Sequence, residues 1–376
     1  MNTTENKLRL GIDVGSTTIK LAVVDVSTGK ALLTRYCRHN AAQAETARKL
    51  LAQAEEQFPD VRFRAAVCGS GGRPIAEALG VRYIQEVVAN AAAVRSLHPQ
   101  ARTAIELGGQ DAKIVFFGAA QSSGRLVVSD MRMNGSCAGG TGAFIDEIAA
   151  LLNVKPEEFE ALAAKGKNVY KISGRCGVFA KTDIQPLLIQ GAAHEDIALS
   201  TFHAIAKQTI GGLSQGLDFT PPIVFEGGPL TFNPTLVRVF AERLALGEDD
   251  IIIPENAEAV IAQGTAIALD ELFPQENGQM PTLPELAEML HKKNTSAPAP
   301  LTAKPFFASA EERKAFMQRH EKQMRSSTAS HQLSVTSFQK TRKGNRPQAA
   351  YIGIDSGSST SKIVLIDENE EVIDMF

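Results

Sequence analysis

The sequence predicts an α/β fold, on the strength of three stretches in which a β-strand runs into glycines. The first is Gly11-Ile12-Asp13-Val14-Gly15-Ser16-Thr17-Thr18-Ile19-Lys20, with an apolar run to Asp25 behind it. Alternating apolar residues over Leu8 to Val14 and Ile19 to Val24 read as the two strands of a hairpin. The second, Ile105 to Phe117, is a strand, a turn at Gly108-Gly109-Gln110-Asp111 and a second strand, with acids at the turn. The third, Ile223-Val224-Phe225-Glu226-Gly227-Gly228-Pro229, is a strand ending in glycines, followed by a helix from about Pro234.

The hairpin tip presents backbone N–H groups and small hydroxyls. A glycine at the bend admits an anion close to the backbone, and consecutive amides form a nest for phosphate oxygens. Asp13, buried at the strand end and facing that tip, is costly to leave unpaired; Mg2+ held through water on phosphates would partner it. A hairpin with a solvated polar tip is the plainer alternative for this stretch alone. In their order and separations, however, the three stretches resemble the phosphate-1, phosphate-2 and adenosine motifs of the superfamily of acetate kinase, sugar kinases, heat-shock chaperones and actin. That resemblance implies an actin-like ATPase (ribonuclease H-like) fold, with two lobes around a nucleotide cleft.

Taken in order, Ala41 to Gln57 has helical spacing, and Phe63 to Val67 is a strand. It ends in Cys68-Gly69-Ser70-Gly71-Gly72-Arg73, whose glycines fail the G-x-G-x-x-G spacing and read as a strand-to-helix turn. Ile84 to Ser96 and Ala257 to Leu269 are helices rich in small residues, suited to crossing closely at the base of a cleft as a hinge. Leu126 to Met133 is a strand. Asp196 to Gly216 is a helix with Ile197, Phe202, Ile205, Ile210 and Leu213 on its buried face. The expected lobes are residues 1–95 with 257–273, and residues 96–256. Residues 274–349, rich in Pro, Ser, Thr and Ala around a charged helix at Glu311 to Arg325, read as a linker. Gly353-Ile354-Asp355-Ser356-Gly357-Ser358-Ser359-Thr360-Ser361-Lys362 then repeats the opening hairpin. A repeat at that distance predicts the start of a second ATPase domain over 350–376, in the front part of a longer tandem protein.

Composition fits a globular protein: 376 residues, 44% hydrophobic and 22% charged. A net charge of −3 over that length gives no reason to expect nucleic acid or an anionic membrane as partner. No run reaches the length of a membrane span, and Met1 to Lys7 is no signal sequence, so a cytoplasmic protein is expected.

Four cysteines in so long a chain make no disulfide framework. Cys37 and Cys68 read as packing residues. Cys137 and Cys176 each lie in a glycine-rich turn that opens a helix, where helix N-termini with free N–H groups favour a thiolate. Packing cysteines in helix turns are the alternative reading of that pair as well. Two cysteines are half the ligand set of a [4Fe-4S] cluster.

Asn134-Gly135-Ser136-Cys137-Ala138-Gly139-Gly140-Thr141-Gly142, Ser173-Gly174-Arg175-Cys176-Gly177-Val178-Phe179 and Gly108 to Lys113 resemble the activator ATPases of 2-hydroxyacyl-CoA dehydratases, with the related benzoyl-CoA reductase ATP-binding subunits. The likeness covers about Leu8 to Phe273. The resemblance implies ATP and Mg2+, and a [4Fe-4S] cluster ligated by Cys137 and Cys176 and bridging two ATPase units, from a homodimer or a second repeat. It implies Asp13, Glu106, Gln110 and Asp111 as catalytic residues, with Asp13 on Mg2+ through water. Gly15, Ser16, Thr17, Thr18, Lys20, Gly108 and Gly109 would hold phosphates, and Gly227, Gly228 and Pro229 the adenosine. Lys20 and Lys113 are open to a second reading, as partners of acids on their own strands. The implied partners are a dehydratase or CoA-ester reductase component as electron acceptor, and ferredoxin or flavodoxin as low-potential donor. A small-molecule kinase on the same fold, with Asp111 as base, and a nucleotide sensor without turnover are the competing functions. Glu106, where the superfamily more often has Asp, and Glu226-Gly227-Gly228-Pro229-Leu230 depart from the usual pattern.

Overall fold

A computed structural model describes residues 7–119, 126–134, 139–174, 177–274, 280–295, 306–307, 309–328, 350–356, 361–368 and 372–375. The chain forms two units, Met1–Ala297 and Pro298–Phe376.

The first unit opens with β1 (Leu8–Val14), β2 (Thr18–Asp25) and β3 (Lys30–Arg38), an antiparallel meander. Helix α1 (Gln43–Glu55) leads to β4 (Arg64–Cys68), parallel beside β1, and α2 (Gly72–Leu79) to β5 (Arg82–Tyr83), parallel beside β4. The sheet order is β3-β2-β1-β4-β5. β1 is buried along nearly its whole length because helices cover both faces of the sheet.

After α3 (Glu86–Leu97) the same plan is repeated. β6 (Thr103–Leu107), β7 (Ala112–Ala119) and β8 (Leu126–Met133) form the meander. Helices α4 (Gly142–Leu151), α5 (Phe159–Ala163), α6 (Gly177–Ile189) and α7 (His194–Leu213) precede β9 (Ile223–Glu226). Helices α8 (Gly228–Phe232) and α9 (Pro234–Leu244) precede β10 (Ile251–Ile252), and the order is β10-β9-β6-β7-β8. Read from its first strand, the second sheet has the connectivity of the first, which is the duplicated topology of an actin-like ATPase.

The duplication reaches single residues. Gly69 after β4 and Gly227 after β9 have φ of +96° and +94°, and a Cβ on either would fall 2.2 Å from the Val14 carbonyl oxygen or 2.1 Å from that of Leu107. Glycine is required twice, at equivalent places, for conformation and for space. Helix α10 (Val260–Leu272) packs on the first sheet and on α3 at backbone distance. A Cβ on Gly11 would lie 1.9 Å from the Ala262 carbonyl oxygen, and one on Gly264 would lie 2.0 Å from that of Ala89 in α3. The two small-residue helices therefore cross in direct contact.

Phe144, Phe159, Phe202, Phe225 and Phe240 fill the second lobe's core. The first lobe packs Leu10, Ile12, Leu21, Leu50, Leu51 and Phe63 together with Leu283, Leu286 and Leu290. Those last three lie on α11 (Leu283–Thr295), inside the stretch expected to be linker. They recur at helical spacing, and burying each contributes roughly 2 kcal/mol, so the first unit continues past residue 273. A capping box begins the helix: the Thr282 N–H donates to Glu285 Oε2 at 2.8 Å and the Glu285 N–H to Thr282 Oγ1 at 3.4 Å. No helix among the described residues is long and apolar enough to cross a membrane.

The second unit contains α12 (Ala310–Thr328) and a sheet of β11 (Ala350–Ser356), β12 (Ser361–Asp367) and β13 (Val372–Met375). In the β11–β12 hairpin Asp355 stands opposite Lys362, as Asp13 stands opposite Lys20 in β1–β2.

Candidate functional site

The tip of the first hairpin and the turn between β6 and β7 meet across the lobes: a Cβ on Gly109 would lie 2.0 Å from Thr17 Oγ1. Beside this contact is a cavity of about 400 Å3. It is lined by Asp13, Thr17, Thr18, Lys20, Glu106, Gly108, Gly109, Gly227, Gly228 and Pro229 from the expected set. Residues from all three motifs thus face one space. Gly15, Ser16, Gln110 and Asp111 do not border it. Gly15 closes the hairpin turn, its N–H donating to the Thr18 carbonyl at 2.9 Å, and the Asp111 carbonyl accepts the Gly108 N–H at 2.7 Å in the second turn. Gln110 is exposed. Gly15 and Asp111 thus hold the two turns that flank the cavity.

Asp13 is buried, and its partner is Lys20, Nζ to Oδ2 at 2.8 Å across the hairpin. Burial pulls the Lys20 pKa down, but the Asp13 carboxylate beside it outweighs that and holds it above the usual lysine value. The second hairpin repeats the device. Lys113 Nζ lies 3.2 Å from Glu106 Oε2 and 2.7 Å from Glu86 Oε2, the latter in the first turn of α3. Burial again lowers, and the two carboxylates raise more strongly, the pKa of Lys113. Both lysines thus pair with acids in their own hairpins, the second of the two readings open from sequence.

Next to Glu106 in register on β9 stands Glu226, fully buried. Asn90 Nδ2 of α3 donates to its Oε1, while Glu226 Oε2 and Asn90 Oδ1 have no partner among the described residues. Burial first, then the neighbouring Glu106, push the Glu226 carboxyl up to about 8. A carboxyl in such a place is held as the neutral acid.

Several cavity residues carry no sequence signal of the phosphate-loop kind. Tyr36 and Arg38 project from β3, a strand the sequence reading passed over although Thr28-Gly29 marks the turn before it. Tyr36 meets Phe232 of α8 edge to face, with ring centroids 5.3 Å apart. Arg38 meets Asp146 of α4 across the cavity mouth. His39, buried, braces the first hairpin: Nδ1 accepts the Ala41 N–H at 3.1 Å, which leaves Nε2–H to donate to the Gly15 carbonyl at 3.1 Å. Cys37 borders the cavity, and Cys68 is buried beneath it, its thiol pKa raised by burial and by Asp13, which leaves it unreactive.

Cys137 and Cys176 lie outside the described residues, but the flanks of both turns are placed. Gly140 (φ +81°) faces Gln208 and Thr209 of α7. Gly174 packs so closely on α7 that a Cβ would lie 2.4 Å from the Ala204 carbonyl oxygen and 3.0 Å from Gln208 Cβ. Gln208 is common to both. The N-terminus of α4 does not offer the free amides expected of it. The Gly142 and Ala143 N–H groups donate to the carbonyls of Gly108 and Gly109 at 2.9 and 2.8 Å, and those of Phe144 and Ile145 to Thr141. The close approach of the Gly108-Gly109 turn thus satisfies the first amides of the helix.

The chain is similar to known proteins in sequence and fold. The chain is 31% identical over 191 residues to the 2-hydroxyisocaproyl-CoA dehydratase activator of Clostridioides difficile, spanning 50% of this chain and 68% of that one. It is 29% identical over 223 residues to the (R)-2-hydroxyglutaryl-CoA dehydratase activating ATPase of Acidaminococcus fermentans, spanning 58% and 82%. The crystal structure of component A of the (R)-2-hydroxyglutaryl-CoA dehydratase of A. fermentans aligns with a TM-score of 0.60 at 27% identity, over 69% of this chain and 96% of that one. Residues 10–262, from the first hairpin into α10, match the BadF/BadG/BcrA/BcrD ATPase family, and the chain belongs to that family.

Proposed function

We propose that this chain is the ATPase unit of an iron-sulfur activator that delivers a low-potential electron to a 2-hydroxyacyl-CoA dehydratase or a related CoA-ester reductase. The packing of Gly140 and Gly174, which flank the two cysteine stretches, on the one residue Gln208 carries the reading. It supports Cys137 and Cys176 supplying thiolates to one side of a shared [4Fe-4S] cluster, the other two coming from a second ATPase unit. Such a cluster, when bound, supplies one-electron chemistry at a potential tuned by its surroundings.

For the nucleotide, the fit rests on the cavity. Thr17, Thr18, Gly108 and Gly109 line it and would hold the phosphates, and Gly227 to Pro229, which line it too, would take the nucleoside. Asp13 faces the phosphate end and would hold Mg2+ through its water shell, with Lys20 moving from carboxylate to phosphate. Glu106, paired with Lys113, faces the same space and would orient the attacking water. Hydrolysis breaks the bond between the γ-phosphorus and its bridging oxygen and leaves ADP and inorganic phosphate. The activator names of the relatives support coupling that hydrolysis to a dehydratase partner.

Anaerobic reconstitution with iron and sulfide, followed by iron quantitation and native mass, tests this on wild type and on the double variant Cys137→Ser, Cys176→Ser. One cluster per two chains, lost in the variant, is expected. A folded, ATP-binding wild type that takes up no iron would overturn the activator reading in favour of a kinase or a nucleotide sensor.

A further inference from the structure

Lys113 meets two carboxylates, and only one of them borders the cavity. Glu106 stands opposite it in the β6–β7 register, Nζ to Oε2 at 3.2 Å, and lines the cavity wall. Glu86, in the first turn of α3, takes the shorter contact, Nζ to Oε2 at 2.7 Å, and does not border the cavity. Lys113 and Glu106 are both buried, so water does little to screen this arrangement.

The first hairpin supplies a comparison. There Asp13 and Lys20 stand opposite each other in the same way and meet at 2.8 Å. In the second hairpin the corresponding contact is longer, and the lysine leans toward the helix. An ammonium on a flexible stem follows whichever acceptor holds it more closely. Glu106 also has one more torsion to fix than the aspartate at Asp13. A lysine tethered from behind restrains that torsion without closing fully on the carboxylate.

Glu86 is well mounted for such a tether. Its carboxylate sits at the positive end of α3. Three residues on, the Ala89 carbonyl packs so closely on α10 that a Cβ on Gly264 would lie 2.0 Å away. Burial lifts the Glu86 pKa above the usual glutamate value, with Lys113 opposing the lift, so the helix carries this acid against its desolvation.

We infer that Glu86 is a positioning residue for ATP hydrolysis: it holds Lys113 between two carboxylates, so that Glu106 stays aimed at the cavity and is not drawn back onto its lysine. The inference rests on the reading of Glu106 given above and needs neither cluster nor acceptor.

Phosphate release from Mg2+-ATP by the full chain tests it. Glu86→Gln keeps the shape and removes the charge; kcat should fall about tenfold, with KM for ATP changed less than about twofold. Glu86→Asp, which keeps the charge, should recover most of that loss. Glu106→Gln should lose about a hundredfold, and adding Glu86→Gln to it should cost nothing further, because the group through which Glu86 acts is already gone. A merely structural role would instead raise KM or lower the melting temperature, and its effect would multiply with that of Glu106→Gln. Glu86→Gln with wild-type kcat, or losses that multiply in the double variant, would overturn this inference and leave the ATPase reading standing. Wild type that hydrolyses no ATP, or Glu106→Gln with full turnover, would overturn the reading of Glu106 and this inference with it.

Discussion

Replacing Glu226 with glutamine should make the protein more stable at alkaline pH, and by an amount that the buried carboxyl sets. In the folded chain this group binds its proton up to about pH 8, against 4.5 for an ordinary glutamate. Between those values the unfolded chain has lost the proton that the folded chain still holds, so stability falls as pH rises. The stabilising contribution is complete below about pH 4.5 and is lost as pH climbs through about 8. The slope is about 1.4 kcal/mol per pH unit, and the whole interval is worth about 5 kcal/mol at most. Glutamine cannot ionise and keeps the oxygen that accepts from Asn90. The chain contains no tryptophan, so guanidinium unfolding would be followed by circular dichroism at pH 5.5 to 8.5 for both proteins. The Glu226→Gln curve should pull above wild type progressively through that range and run parallel to it beyond. A difference that stays constant with pH would refute a protonated Glu226.

Three further substitutions probe the packing. Leu286→Ala, removing a fully buried side chain of α11, should cost about 2–5 kcal/mol and lower the melting temperature by several degrees; a change below about 0.5 kcal/mol would mean that α11 behaves as linker. Gly264→Ala drives a methyl group against the Ala89 carbonyl and should destabilise by about 1–3 kcal/mol. Gly211→Ala in α7, where a Cβ meets nothing within 4 Å, should instead stabilise by up to about 1 kcal/mol, as judged by the same melting curves.

The strands that carry the phosphate turns could be read from the sequence because their alternation is uninterrupted and their glycines stand where the backbone must turn. The helix pair α3 and α10 was legible from its small residues. β3 was not, since its residues are mostly half-buried and give no clean period, and with it went Tyr36 and Arg38, whose partners Phe232 and Asp146 lie far along the chain, and His39 just after it. α11 was hidden by the prolines around it, although Thr282 and Glu285 announce its start. The burial of Glu226 could not be seen either. In sequence it is a polar residue before two glycines, and only the docking of α3 over β9 takes it out of water.

Because the lobes are copies, the first serves as a control for the second. Where β9 ends in Glu226 under Asn90 of α3, β4 ends in Cys68, hydrogen-bonded to Thr265 of α10. Each side thus seats a connecting helix on its sheet through one enclosed polar contact. A thiol so deeply buried stays neutral throughout the ordinary pH range, whereas a carboxyl near 8 does not. Alkalinity therefore loosens one helix seat and spares its twin, so the duplicated scaffold responds to protons unevenly.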